Sequence, residues 1–152
     1  MGDYGVIRSG GFFGKLIRIG TQSRWNHAFI YLGNGYIIEA NPTGVEIKPV
    51  TEYDKIAWNK HEELTAQQRN QIVFHAKSLV GEPYNFFIIA DLAFRILGFR
   101  LLTSRFLERL SKNRGYICSE LVAECYRKAG LPLGDKDYLI NPGDLAERLI
   151  WQ

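Results

Sequence analysis

Two cysteines and three histidines are the residues of this 152-residue chain most able to do covalent chemistry. A cysteine attacks only as its thiolate, and it needs a proton acceptor that a third group holds in one tautomer. Cys118 follows the polar stretch Lys112-Asn113-Arg114-Gly115 and opens the apolar-periodic segment Cys118 to Tyr126. It is therefore expected at a helix N-terminus, where unpaired amides and the helix dipole favour negative charge. The backbone amides of Cys118 and Ser119 could donate there to an oxyanion forming on an attacked carbonyl. Cys125 lies mid-helix between Glu124 and Tyr126 and is read as core.

Of the histidines, His61 sits in the charged run Asn59-Lys60-His61-Glu62-Glu63 and is read as solvated. His75 falls inside a helical pattern, between Phe74 and Ala76, and is read as a packed or half-exposed helix residue. His27 begins the strand-like run His27-Ala28-Phe29-Ile30-Tyr31, a rigid element next to the core, and is the candidate base. The group orienting it should lie across a hairpin, where same-face partners are about 5 Å apart. Glu39 is the first candidate and Asn41 the fallback; the turn leaves the register open by a residue, and a one-residue slip would turn Glu39 to the other face.

The elements that must position these groups follow from local patterns. Gly5 to Ser9 reads as a short strand, and a helical stripe between glycines covers Phe12 to Ile19. Two β-rich runs flank Gly33-Asn34-Gly35 and predict a hairpin. Gly44 to Val50 predicts a third strand ending near Pro49. Thr65 with Gln68 three residues on predicts a capping box, with Gly81 as the stop. Helix is expected from about Phe86 to Leu110, from near Cys118 to Gly130, and briefly at the end, capped by Asn141 or Asp144. Strands first and helices after give an α+β layout, a small antiparallel sheet against helices, in one domain spanning 1–152.

Bulk properties agree with a single globular domain: 46% hydrophobic and 23% charged residues, with a net charge of +3. That charge permits an anionic partner without requiring one. Two helical turns between Cys118 and Cys125, roughly 10 Å, are too long for a disulfide, so free thiols in a reducing compartment are expected. No basic stretch followed by an apolar run opens the chain, which reads as cytoplasmic. Asp91, Arg95 and Arg100 interrupt the longest apolar run, Tyr84 to Leu102, so no transmembrane segment is expected. No His or carboxylate pair has ligand spacing, and neither metal nor cofactor is expected. Nor is a nucleic-acid partner, since no aromatic platform interleaves the basic residues.

Four stretches together carry a resemblance: Gly2 to Ser9, Trp25 to Ala40, Gly81-Glu82-Pro83-Tyr84-Asn85-Phe86, and Tyr116 to Leu131. The chain resembles the circularly permuted, NlpC-type papain-like cysteine hydrolases of the YiiX-like group, and more distantly the lecithin:retinol acyltransferase-like proteins. The resemblance spans Gly2 to about Asp144. It implies a permuted papain-like fold, with Cys118 as nucleophile, His27 as base and Glu39 as the group orienting it. Tyr84 falls at the tyrosine of that family, and it and Trp25 are the candidate substrate contacts. The chain departs from the family at Asn26, where many members have a hydroxyl residue. The implied activity is hydrolysis of an amide in a peptide or cell-wall peptide through an acyl-enzyme. Acyl transfer or lipid-amide hydrolysis would use the same residues. In that case the 86–102 segment would cover an acyl chain, and Arg95, Arg100, Arg105, Arg109 and Arg114 would meet an anionic surface. The third alternative is a non-catalytic interaction module that keeps the fold.

Overall fold

The structure, a computed structural model, describes residues 1–59, 63–87, 115–134 and 140–150. His61, the arginine cluster from 95 to 114 and most of the expected helix from 86 to 110 lie outside them. Phe86 and Phe87 are described, and both are exposed.

Five antiparallel strands form one sheet, in the order β4-β3-β2-β1-β5. They are β1 (Tyr4–Ile7), β2 (His27–Gly33), β3 (Tyr36–Asn41), β4 (Gly44–Pro49) and β5 (Ala57–Trp58). Helix α1 (Gly11–Thr21) links β1 to β2, and α2 (Ala66–Ser78) follows the sheet. Helices α3 (Cys118–Lys128) and α4 (Pro142–Ile150) come last. The result is the expected α+β arrangement. Asn34 and Gly35 both take positive φ in the β2–β3 turn, the backbone that a two-residue hairpin of native twist requires.

The first strand ends at Ile7, two residues short of the expected limit. The cause is Asn26, whose side chain takes both backbone groups of Ser9. The Ser9 amide donates to Asn26 Oδ1 (2.8 Å), and Asn26 Nδ2 donates to the Ser9 carbonyl (3.1 Å). Ser9 is thereby withdrawn from the ladder and turned into α1. Thr65 and Gln68 form the predicted capping box at α2. That helix ends at Ser78, three residues before Gly81. At α4 the cap is Asn141, whose Oδ1 accepts from the amides of Gly143 and Asp144, while Asp144 accepts from the Asn141 amide.

Alternation along the strands gives the sheet two different faces. Tyr4, Val6, Ala28, Ile30, Ile38 and Ala40 point into the main core with Ile72, Leu121, Val122 and Tyr126 from the helices. On the other face Ile7, Phe29 and Ile37 form a smaller core with Tyr31, Val50, Tyr53, Ile56 and Trp58. The chain reaches that face after β4, through a 3₁₀ turn (Val50–Glu52), and crosses to pair as β5 beside β1. Neither the turn nor the two-residue β5 was expected from sequence. Phe29 lies over Gly5, where an added Cβ would stand 2.6 Å from the ring, so a side chain there would displace it.

The approach to α3 is shaped by Gly115. Its φ is +92°, and a Cβ would fall 1.8 Å from the Pro83 carbonyl oxygen. Only glycine allows this contact, which lets the Tyr116 amide donate to Pro83 and the Asn85 amide to Tyr116. The resulting bridge sets Tyr84 beside the start of α3.

Candidate active site

Cys118 is the first residue of α3 and only 2% exposed. The first helical bond runs from the Leu121 amide to the Ile117 carbonyl. The amides of Cys118, Ser119 and Glu120 therefore lie ahead of the helical ladder. The Ile117 amide donates to the Glu120 carboxylate (3.2 Å), which fixes the helix start. Ser119 Oγ donates to the Ile140 carbonyl (2.6 Å), tying α3 to the segment before α4 and leaving the backbone amide as the group this residue presents. Cys125 is fully buried, and burial pushes its thiol well above the ordinary value, in keeping with a core role. Both cysteines are free.

His27 Nε2 stands 2.7 Å from Glu39 Oε2, and the imidazole also interacts with Cys118, which raises its pKa. With Nε2 committed to the carboxylate, Nδ1 is the ring nitrogen left for the thiol. The contact to Glu39 is diagonal, which corrects the expectation of directly opposed partners. The ladder pairs Ile30 with Ile38 and Tyr31 with Ile37. Continued, that register sets Glu39 across from Phe29 and Asn41 across from His27. Positions 27, 29, 39 and 41 share one face, and the longer reach of a glutamate spans the diagonal. Asn41 Nδ2 donates to Glu39 Oε1 (3.2 Å), so it braces the carboxylate rather than the imidazole.

Two further residues complete the surroundings of Glu39. Tyr53 donates its hydroxyl to Oε2 (2.7 Å), and the Lys48 ammonium lies 3.4 Å from Oε1. Glu39 has no exposed surface, and among the described residues the groups that contact its carboxylate are donors. Burial pushes its pKa up, but the hydrogen bond and charge of His27, then the bonds from Tyr53 and Asn41, outweigh this and hold it at about 2 against an ordinary 4.5. For His27, burial pushes the pKa down. The charge and hydrogen bond of Cys118, followed by those of Glu39, overcome it and raise it from 6.5 to about 10.

These shifts predict a stability profile. A carboxyl with a depressed folded pKa stabilises the fold above pH 4.5 and loses that contribution as pH falls toward 2; a raised imidazole contributes fully below pH 6.5 and less as pH rises toward 10. The pair therefore contributes most between pH 4.5 and 6.5. Urea unfolding midpoints should peak there, and Glu39→Gln should remove roughly 2–3 kcal/mol of the fall on the acid side. An acid-side fall of the same size in Glu39→Gln would show that other carboxyls cause it.

A cavity of about 620 Å³ opens beside this group, between the start of α1 (Ser9, Gly10, Gly14, Ile17) and the β3–β4 turn (Asn41 to Thr43). His27, Glu39, Tyr53, Tyr84, Glu46 and Lys48 also line it. Tyr84 is nine-tenths buried, and burial, then the charges of Cys118 and Glu120, push its hydroxyl pKa up. Trp25 is not among the lining residues. It packs against the main core, with the Arg24 guanidinium 5.0 Å from its ring centre. His75 is half-buried on α2, away from the cavity lining.

Sequence reasoning missed Tyr53 and Lys48. Lys48 was within reach, because a tight turn at Pro42-Thr43 pairs Glu39 with Glu46 and Ile37 with Lys48, on the same face. Tyr53 carried no periodic signal, since it belongs to no strand or helix.

Comparison with known proteins gives the family. Residues 11–142 match the family described as permuted papain-like amidase enzymes, YaeF/YiiX, C92 family. The curated Escherichia coli K12 protein named "Probable lipoprotein peptidase YaeF" is 26% identical over 153 residues, covering 85% of this chain. The chain spans 56% of the length of that relative. The crystal structure of metalloprotein yiiX from Escherichia coli O157:H7 shares the fold, with a TM-score of 0.64 and 22% identity. That match covers 96% of this chain and 78% of the other. The chain thus belongs to the permuted papain-like amidase family of YaeF and YiiX.

Proposed function

We propose that the protein is a cysteine hydrolase that opens an amide bond through Cys118, with His27 as base and Glu39 orienting it. The observation that carries this reading is the 2.7 Å bond of His27 to Glu39 on an imidazole whose pKa the neighbouring Cys118 raises. His27 holds the proton of Cys118, and the thiolate attacks the carbonyl carbon. The C=O electrons move to oxygen, where the amides of Cys118 and Ser119 stabilise the charge. The tetrahedral species then expels the amine, which takes the proton from His27, and leaves a thioester on Cys118. A water activated by His27 adds to that thioester, releases the acid and restores the thiol. Tyr84, on the cavity wall, would touch the substrate.

Peptides are the first substrate class, in keeping with the peptidase name of the relative, and cell-wall peptides are included. Free thiols fit a reducing compartment, and we place the reaction in the cytoplasm on that ground. Among the described residues, no helix is long and apolar enough to cross a membrane. The word metalloprotein belongs to the yiiX structure. Here the nearby donors are bonded to one another, and no group of three or more His, Cys, Asp or Glu side chains gathers as a metal site among the described residues.

The test is a panel of peptide amides, fatty-acyl amides and esters, with denatured protein then analysed by mass spectrometry. Turnover of peptide amides with a thioester adduct on Cys118 supports the reading. Fatty-acyl turnover alone would replace the substrate class. No adduct and no turnover across the panel would favour a binding module.

A further inference from the structure

We propose that Tyr53 is a positioning residue for the reaction, fixing the Glu39 carboxylate so that Oε2 stays aligned with His27 Nε2. Its hydroxyl donates to the same oxygen that faces His27, at the same 2.7 Å. Asn41 and Lys48 hold Oε1, and the second donor on Oε2, from a direction different from the imidazole, sets where that oxygen lies relative to His27. The tyrosine is itself held rigidly. Its ring stacks on Phe29 with centres 5.4 Å apart and planes 7° apart, and lies 5.9 Å from the His27 ring. Phe29 in turn lies against Gly5. Tyr53 thus ties the His27–Glu39 pair to the small core on the same face of the sheet.

The other groups around Glu39 act on its second oxygen. Asn41 and Lys48 meet Oε1, and Lys48 also pairs with Glu46 (3.2 Å) and Glu52 (3.6 Å). Cys118 faces His27 from α3, and Tyr84 stands beside Cys118. Within this set, Tyr53 alone shares Oε2 with the imidazole.

The inference rests on the Cys118–His27 reading, and the experiment separates the two. The probe is the rate of iodoacetamide alkylation at Cys118 near pH 6, read by peptide mass spectrometry on the whole chain. The proteins are wild type, His27→Ala, Tyr53→Phe, Glu39→Gln and Tyr53→Phe/Glu39→Gln. Phenylalanine keeps the ring stack on Phe29, so thermal unfolding should move little. Tyr53→Phe should slow alkylation about tenfold, the worth of one hydrogen bond to a charged group. In the Glu39→Gln background the same change should slow it less than about twofold, because the residue acts through that carboxylate. A wild-type rate in Tyr53→Phe, with His27→Ala slow, overturns the positioning role and leaves the base in place. A slowing equal in both backgrounds also overturns it. Equal rates in wild type and His27→Ala overturn both readings at once.

Discussion

Cys118→Ala is expected to lower turnover of an amide substrate by more than about 10⁴-fold while the protein stays folded. Groups that act as one unit lose nearly all catalysis when the nucleophile goes, and what remains comes from binding and the oxyanion donors. Structure should survive, because alanine is the best helix former and the change removes one atom at the first position of α3. The Ile117–Glu120 and Ser119–Ile140 bonds that fix the helix start do not involve the sulfur. Cys125→Ala is the control. Its thiol is buried in the main core, so it should cost stability and leave kcat near wild type. The check is a progress curve for each variant on an amide found in the panel, with unfolding measured in parallel. Loss of activity in Cys125→Ala with Cys118→Ala active would reverse the assignment of the two cysteines.

His27→Ala is the second large effect, with kcat expected to fall by roughly 10²–10⁴, the range that general acid–base catalysis supplies. KM should change little if the imidazole acts mainly on protons. Removing one partner of a buried ion pair commonly costs about 3–5 kcal/mol, because the other charge is left uncompensated. Here Glu39 keeps Tyr53, Asn41 and the Lys48 ammonium, so the loss should be smaller, about 1–3 kcal/mol. A folded but inactive His27→Ala is the expected outcome in steady-state kinetics and urea unfolding. Wild-type kcat in the folded variant would remove His27 from the mechanism.

The parts of this site that were legible in sequence are those fixed by short-range rules. A cysteine after a polar glycine-ending stretch marked the start of α3, and Asn34-Gly35 marked the turn that brings His27 and Glu39 onto one face. What remained open was set by register and by distant packing. Glu39 and Asn41 have the same parity, so alternation alone could not choose between them; the ladder puts Asn41 opposite His27 and Glu39 on the diagonal, and it is Glu39 that reaches the imidazole at 2.7 Å. Asn26 stood out only as a departure from related sequences, and its bonds to Ser9 show that it ends β1 and starts α1. Tyr53 is positioned by a crossing segment whose course depends on the small core beneath it. Gly115 is similar, because its need for positive φ arises from Pro83, more than thirty residues earlier.

The central claim, that Cys118 is activated by His27, is tested most directly by the pH dependence of iodoacetamide alkylation at both cysteines in wild type and His27→Ala. The account predicts that Cys118 reacts well below pH 8 in wild type, loses that advantage in His27→Ala, and outpaces Cys125 throughout. A Cys118 that is inert, or whose reaction is the same with and without His27, would contradict it.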